Sequence, residues 1–194
     1  MPPTVSVVVP TFNRPESLRR ALASIRALEG ADLRLEIIVA DNGGLPAARA
    51  AAGEFGASYL AVGPKGPSAA RNAAMSAATG DYIAFLDDDD AWLEGHLRPH
   101  LSLFATDPDL DLVIGQVQSV DHALQPFGDP WLADFPATPD DLLRRMLGGY
   151  FPQVGSILVR ARVREMVGGF GTDLPGGEDL DWVLRIAGER RVGF

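Results

Sequence analysis

The first half of the chain alternates between apolar runs and segments with helical spacing. Residues 5–9 form a β-branched run of the kind that is typical of a strand buried on both faces. Leucine and isoleucine then recur at positions 18, 22, 25 and 28, which predicts one apolar face of a helix with Asn13 as its N-cap. The alternation continues with strands predicted at 35–40, 58–62 and 82–86 and helices at about 45–55 and 68–78, where Ser68 is the expected cap.

This order of elements predicts a mostly parallel sheet covered by helices. Ligands of such sheets bind beyond the carboxyl ends of the strands. Asp41 and Asn42 follow the second strand, and four consecutive acids, residues 87–90, follow the fourth. We therefore expect both polar groups at the same edge of the sheet.

The second half is less regular. It predicts helices at 92–104, 142–147, 162–167 and 178–187 and strands at 112–118 and 156–159. Residues 119–138 read as a long loop rich in proline, aspartate and aromatic side chains, of the kind that often carries function. Trp131 and Phe135 could form a ligand platform there or pin the loop to the core. The last residues, 191–194, resemble the start of a further strand, so we expect a chain that is shortened at this end.

Composition excludes several functional classes. The formal charge is −9 without a cluster of Lys and Arg, which argues against a nucleic-acid partner. The chain has no cysteine, which excludes disulfides, thiolate catalysis and zinc–thiolate sites. No apolar stretch reaches the roughly 20 residues of a transmembrane helix, and the start of the chain does not predict a signal peptide. We expect a cytoplasmic protein.

The four acids at 87–90 are the most specific chemical signal. Carboxylate oxygens suit Mg²⁺ or Mn²⁺, and magnesium often shares its ligands between one or two carboxylates and the phosphates of a substrate. A divalent ion would also relieve the repulsion between neighbouring charges. The alternative is a solvated acidic turn in which Asp89 or Asp90 caps the next helix.

Six motifs in this order and spacing resemble the inverting family-2 glycosyltransferases: VSVVVPTFNR at 5–14, EIIVADNG at 36–43, ARN at 70–72, FLDDDD at 85–90, GGF at 168–170 and GED at 177–179. The resemblance implies the α/β GT-A fold, in which a Rossmann-like, mostly parallel sheet flanked by helices joins a nucleotide-binding half to an acceptor-binding half. We expect one domain over 1–194, with the sugar-donor half at 1–92 and the acceptor half at 93–194. It also implies a role in cell-envelope or polysaccharide synthesis, where the protein can associate with the inner face of the membrane.

The resemblance further implies roles for individual residues. Asp179 would be the catalytic base, and Asp89, within the acidic DxD-type motif, would hold the divalent metal. The residues expected to bind the nucleobase and ribose of the donor are Pro10, Thr11, Asp41, Asn42, Asp87 and Asp88. Asn42 stands where the family usually has an acid, and because an amide both donates and accepts, uracil, thymine and guanine all remain possible bases.

Other polar residues admit two interpretations each. Lys65 could contact a phosphate or be solvated, and Arg71 could reach the diphosphate or pair with the acidic cluster. Asn72 is expected to form hydrogen bonds with local backbone. Glu178 and Asp179 could simply be acids that stabilise the start of a helix. Trp182 is expected to pack in the core, although it could support a sugar, and Arg185 to pair with Asp181. The histidines, His96, His100 and His122, are expected to be surface or capping residues.

The function that the resemblance implies is metal-dependent, inverting transfer of a sugar from a nucleotide-diphosphate sugar to the hydroxyl of a glycan, a lipid-linked glycan or a small molecule. Two alternatives belong to other classes. One is a nucleotide-sugar-binding or regulatory module without catalysis, which Asn42 and the expected truncation at the end of the chain motivate. The other is a phosphatase-like enzyme with an aspartate nucleophile, although the supporting lysine and hydroxyl loops of that chemistry cannot be placed here.

Overall fold

The computed structural model describes residues 1–63, 66–121, 125–131, 134–136, 138–189 and 191–194, and its elements follow the predicted order. The strands of these residues are β1 Thr4–Thr11, β2 Arg34–Asp41, β3 Ser58–Ala61, β4 Tyr82–Phe85, β5 Leu110–Ile114, β6 Ile157–Arg160 and β7 Arg191–Gly193. Their α-helices are α1 Pro15–Arg26, α2 Pro46–Glu54, α3 Pro67–Ala77, α4 Leu97–Thr106, α5 Pro139–Leu147, α6 Val163–Val167 and α7 Glu178–Glu189.

All seven strands belong to one mixed sheet with the order β3-β2-β1-β4-β6-β5-β7. Strands β3, β2, β1 and β4 run parallel, β6 runs antiparallel to both of its neighbours, and β7 is parallel to β5. The predicted mostly parallel sheet is therefore confirmed. The parallel connections are made by α1, α2 and α3, which is why the helical spacing alternates with apolar runs in the first half of the chain.

The sheet divides the core into two layers. Val5, Val7 and Val9 point to the side that α1, α2 and α4 cover, whereas Val8 points to the opposite side with α3, α6 and α7. Burial on both faces explains why β1 reads as an uninterrupted β-branched run. On the second side Trp182 is fully buried against Phe85, as expected for a packing residue.

The register of the central strands sets the position of the polar groups. Thr11 at the end of β1 lies beside Asp41 at the end of β2, and Val8 lies beside Phe85 at the end of β4. The chain that follows β4 therefore emerges at the same sheet edge as Thr11. The sequence prediction that the polar segments share one edge is confirmed.

The predicted helix caps are wrong. Helix α1 begins at Pro15 without a side-chain cap, and Asn13 instead adopts a left-handed conformation with φ of 58°. Helix α3 begins at Pro67 after Gly66, so Ser68 lies inside its first turn. In both helices a proline at the first position provides a favourable start without a capping side chain.

The acids also do not cap the next helix. Helix α4 begins at Leu97 rather than at position 92, and residues 87–96 form turns without regular helix. The capping alternative for Asp89 and Asp90 is therefore wrong. The acids lie on a loop, where their carboxylates are available for other partners.

Candidate active site

A cleft of about 620 Å³ opens at the carboxyl edge of the parallel strands. Its wall combines segments that lie far apart along the chain: Pro10, Thr11, Phe12, Arg14, Asn42, Gly66, Pro67, Arg71, Asp87, Asp88, Asp89, Glu178 and Asp179. Asp89 and Asp179 thus share one cleft although 90 residues separate them in the sequence. Of the ten residues predicted for the site, eight including Asp179 lie in this wall.

The corner of the cleft nearest β1 and β2 contains Pro10, Thr11 and Asn42. The hydroxyl of Thr11 donates a hydrogen bond of 2.6 Å to Oδ2 of Asp88. Thr11 therefore orients Asp88, and both side chains are almost fully buried. Asn42 directly follows β2 and presents an amide at this corner.

Asp41 is placed differently from the other predicted donor residues. Its buried carboxylate accepts hydrogen bonds from the backbone N–H groups of Gly43 and Gly44, at 2.6 and 3.1 Å, and from the hydroxyl of Tyr59 at 2.7 Å. Burial and the bond to Asp41 raise the pKa of Tyr59 to about 12, so this phenol stays a donor. These bonds shape the turn that presents Asn42, and Asp41 is not part of the cleft wall.

The acidic edge is compensated by two arginines. Arg14 pairs with Asp89, and its Nε lies 3.2 Å from Oδ1 of Asp88. Asp87 receives two hydrogen bonds from Arg71. Sequence reasoning did not assign Arg14 to the site, although it ends the first of the quoted motifs. Its partners could not be inferred because they lie 74 and 75 residues away.

Asp88 and Asp90 show the electrostatic cost of this edge. Burial is the main cause that raises the pKa of Asp88, while Thr11 and Arg14 act in the opposite direction. Asp90 lies outside the cleft wall and its side chain is exposed. Partial loss of hydration and repulsion from the other three acids raise the pKa of Asp90 to about 6.

Arg71 crosses the cleft from α3. Its Nη2 lies 2.9 and 3.1 Å from the two oxygens of Asp87, and its Nη1 lies 3.0 Å from Oε1 of Glu178. The guanidinium also lies over the ring of Phe170 at 5.4 Å. Of the two interpretations of Arg71, the structure therefore shows the pairing with the acidic cluster. The Nε of Arg71 is buried and has no hydrogen-bond partner among the described residues.

Asp179 lies in the first turn of α7, and its Oδ1 accepts a hydrogen bond of 3.0 Å from the N–H of Leu180. Burial raises the pKa of Asp179, the charge of Glu178 raises it further, and Arg71 lowers it. A carboxylate with a raised pKa is a stronger base than an ordinary aspartate. The position fits a group that accepts a proton within the cleft.

A clamp behind the cleft holds the GGF motif. The amide of Asn72 donates to the carbonyl of Phe170 and accepts from its N–H, both at 2.8 Å. The expectation that Asn72 bonds local backbone is wrong, because its partner is 98 residues away. A Cβ on Gly169 would overlap the Asn72 amide, so only glycine fits beside this clamp. Phe170 stacks on Trp182 with ring centres 4.6 Å apart, which joins the motif to α7.

Several predicted residues lie elsewhere. Lys65 and His122 fall outside the described residues. His96 and His100 line a separate cavity of about 580 Å³ together with Phe135, and neither belongs to the cleft wall. The expectation that His100 is a surface or capping residue is wrong, because it is buried within α4 and bonds the carbonyl of Ser156 at 3.0 Å. Trp131 is also absent from the cleft wall and donates to Ser119 within its own loop. Arg185 pairs with Asp181 as expected, with Nε 3.0 Å from Oδ2.

The carboxylates at the cleft fit a metal that takes most of its ligands from a substrate. Among the described residues, no group of three or more His, Cys, Asp or Glu side chains forms a metal-ligating cluster. Asp89 nevertheless offers a half-exposed carboxylate at the cleft wall. Magnesium-type ions need only one or two protein carboxylates when waters and phosphates supply the remaining ligands.

In the part of the chain that is described, no helix combines the length and apolarity needed to cross a bilayer.

Comparison with known proteins gives a consistent set of relatives. The family model described as "Glycosyl transferase family 2" matches residues 6–157. The pre-mycofactocin glycosyltransferase of Mycobacterium tuberculosis is 30% identical over 203 residues, and this match covers 96% of the chain and 40% of the relative. The chain therefore spans about two fifths of the length of that relative.

Two solved structures share the architecture. S. aureus TarS 1-349 in complex with UDP-GlcNAc has a TM-score of 0.78 at 18% identity, covering 97% of this chain and 55% of TarS 1-349. The mannosyltransferase PcManGT from Pyrobaculum calidifontis, in complex with GDP-Man and Mn²⁺, has a TM-score of 0.71 at 21% identity. That match covers all of this chain and 55% of PcManGT. At these identities the likeness concerns the fold, and the predicted GT-A fold is confirmed.

Proposed function

The chain belongs to glycosyl transferase family 2, and from this membership we propose that it transfers a sugar from a nucleotide-diphosphate sugar to the hydroxyl of an acceptor. The observation that carries the proposal is the single cleft that unites Asp89 with Asp179 at the carboxyl edge of the sheet. Catalysis of this transfer requires a group that stabilises the departing diphosphate and a base that takes the acceptor's proton. The two aspartates supply one role each.

The donor occupies the part of the cleft formed by residues 1–92. Pro10, Thr11 and Asn42 receive the nucleobase, and Asp87 and Asp88 receive the ribose hydroxyls. Asp41 contributes by shaping the turn of Asn42, since its own oxygens are already bonded. Arg71 supports this orientation, because it lines the cleft and holds Asp87 through two hydrogen bonds.

Asp89 would hold a divalent ion, Mn²⁺ or Mg²⁺, through its half-exposed carboxylate at the cleft wall. When bound, this ion acts as a Lewis acid that neutralises the charge which develops on the leaving diphosphate. Arg14 already provides positive charge at Asp88 and Asp89 in the described structure. The Arg14 side chain is half exposed, so its guanidinium would be able to turn toward a phosphate oxygen of a bound donor.

Asp179 accepts the proton of the acceptor hydroxyl while that oxygen forms its bond to the anomeric carbon. The bond between the anomeric carbon and the diphosphate oxygen breaks in the same step, and the configuration inverts. The raised pKa of Asp179 favours this proton transfer. Residues 93–194, which include α7, form the acceptor side of the cleft.

The experiment combines binding with turnover. Asp179→Asn is expected to keep metal-dependent binding of a nucleoside diphosphate, measured by calorimetry with UDP, dTDP and GDP in the presence of Mn²⁺. Its turnover is expected to fall by about 10²- to 10⁴-fold, the usual contribution of a general base. Asp181→Asn is the matched control, because it lies in the same helix and pairs with Arg185.

Full turnover of Asp179→Asn would contradict the assigned base. Nucleotide binding by the wild-type protein without transfer or donor hydrolysis would instead favour a binding module. Both outcomes are read from the same two measurements, and the control variant shows whether a lost charge in α7 has a general effect.

A further inference from the structure

Resting on the proposed function, we propose that Glu178 is a positioning residue that fixes Asp179 against the donor side of the cleft through its ion pair with Arg71. The family resemblance accounts for Asp179, whereas the position of Glu178 follows from contacts across the cleft. These contacts join three elements, α3, the loop after β4 and the first turn of α7.

The three charged groups are held at once. Arg71 donates from Nη1 to Glu178, at 3.0 Å, and from Nη2 to the two oxygens of Asp87, at 2.9 and 3.1 Å. Separate nitrogens of a rigid, planar guanidinium make these bonds. The direction of the bond to Asp87 therefore fixes the direction of the bond to Glu178. The exposed fractions of the side chains of Arg71 and Glu178 are only 5% and 14%. The bridge is therefore shielded from solvent far more than a surface ion pair.

The first turn of α7 needs such an attachment. Gly177, immediately before the helix, has φ of 74°, a left-handed conformation that favours glycine. A glycine at this point allows the preceding chain many directions. The later turns are held elsewhere: Trp182 donates to the carbonyl of Gly168 at 2.9 Å, and Arg185 donates to that of Gly169 at 2.7 Å. Among the described residues, the bond to Arg71 ties the first turn to the donor side.

Neighbouring positions on a helix separate the two acids. Residues i and i+1 point about 100° apart, so Glu178 can face Arg71 while Asp179 faces the open cleft. Glu178 is engaged by the buried guanidinium of Arg71 in an ion pair of 3.0 Å. Asp179 has no such direct bond to Arg71 and can take up a proton. One acid thus positions the helix and the other acts on the acceptor.

The test compares Glu178→Ala and Glu178→Gln with wild type. For Glu178→Ala we expect kcat to fall by about 10²-fold, the scale of effect of a displacement of roughly 1 Å in a catalytic group. Binding of the nucleoside diphosphate that the wild type selects from UDP, dTDP and GDP, measured with Mn²⁺, should be unchanged. Glu178→Gln keeps an oxygen that accepts from Arg71 and should recover most of the lost kcat.

Asp111→Ala is the matched control for the loss of an arginine–carboxylate pair. Asp111 is buried and pairs with Arg162 at 2.8 Å, outside the cleft wall. This variant should keep the wild-type kcat when all proteins are assayed below their melting transitions, which circular dichroism defines. A merely structural effect of Glu178→Ala would lower stability as Asp111→Ala does and leave kcat unchanged.

The outcomes distinguish this inference from the function on which it rests. A wild-type protein without transfer or donor hydrolysis overturns the proposed function and the role of Glu178 with it. An active wild type and an equally active Glu178→Ala overturn only the positioning role. Parallel loss of nucleotide binding and kcat also overturns it, because Glu178 would then serve the donor site. A fall in kcat alone, restored by glutamine, is the supporting result.

Discussion

Replacing Asn72 with alanine should lower the stability of the protein far more than an ordinary substitution within a helix would. The Asn72 amide makes two hydrogen bonds of 2.8 Å, one to the N–H and one to the carbonyl of Phe170. Phe170 is buried, so its backbone groups have little access to water after the amide is removed. The substitution therefore leaves one donor and one acceptor without partners.

The expected magnitude follows from these two groups. An unsatisfied buried polar group costs about 1–3 kcal/mol, and with partial hydration of the pair we expect a loss of about 2–4 kcal/mol. For a domain of this size 1 kcal/mol shifts Tm by roughly 2–4 °C, which gives a fall of roughly 5–15 °C. Because Phe170 stacks on Trp182 of α7, kcat should fall as well.

Thermal melting followed by circular dichroism measures this effect. Ser76→Ala is the control, since Ser76 is exposed in the same helix, donates one bond to the Asn72 carbonyl and should change stability by less than about 0.5 kcal/mol. Asn72→Asp can still accept from the Phe170 N–H but sets a negative oxygen against the carbonyl. Its pKa should therefore rise on folding, and its stability should recover as the pH falls. If Asn72→Ala melts no lower than Ser76→Ala, the clamp does not stabilise the fold.

Two further predictions concern the acidic edge. Asp90→Asn should stabilise the protein above pH 6 by about 1 kcal/mol or less, because the ionised form is disfavoured in the fold but its side chain is exposed. The gain should fade as pH drops below 6, and a lower Tm than wild type at pH 8 would contradict it. Arg14→Gln frees Asp89 and should tighten binding of Mn²⁺ alone by about two- to fivefold in calorimetry. Equal or weaker binding would show that Arg14 does not compete with the ion.

Local patterns were sufficient to predict the strands and the shared edge. The valines of β1 report burial on both faces, and the register of β1 with β2 and β4 brings the segments after these strands together. Asp87, Asp88 and Asp89 were therefore predicted on the correct side of the sheet. The placement of Asp179 depended on the motif resemblance, because nothing local links α7 to β4.

Long-range pairing accounts for what the sequence could not show. The sequence offers several possible polar partners for Arg14, Arg71 and Asn72. Which partner each of them bonds depends on the arrangement of the sheet and its flanking segments. Pairing of Arg71 with Glu178 joins residues 107 apart, and no periodic pattern encodes it. The helix starts were missed for a simpler reason. Prolines at the first helical positions made capping by Asn13 and Ser68 unnecessary.

The position of β4 between β1 and β6 has a consequence for any attempt to divide this chain. β4 uses one edge for β1 and the other for β6, whose paired residues come 74 to 78 positions later. A fragment of residues 1–92 would present β4 with an open row of backbone donors and acceptors, which invites aggregation. Adding the fragment 93–194 should restore solubility through strand complementation, and folding of the intact chain should await this late, distant pairing.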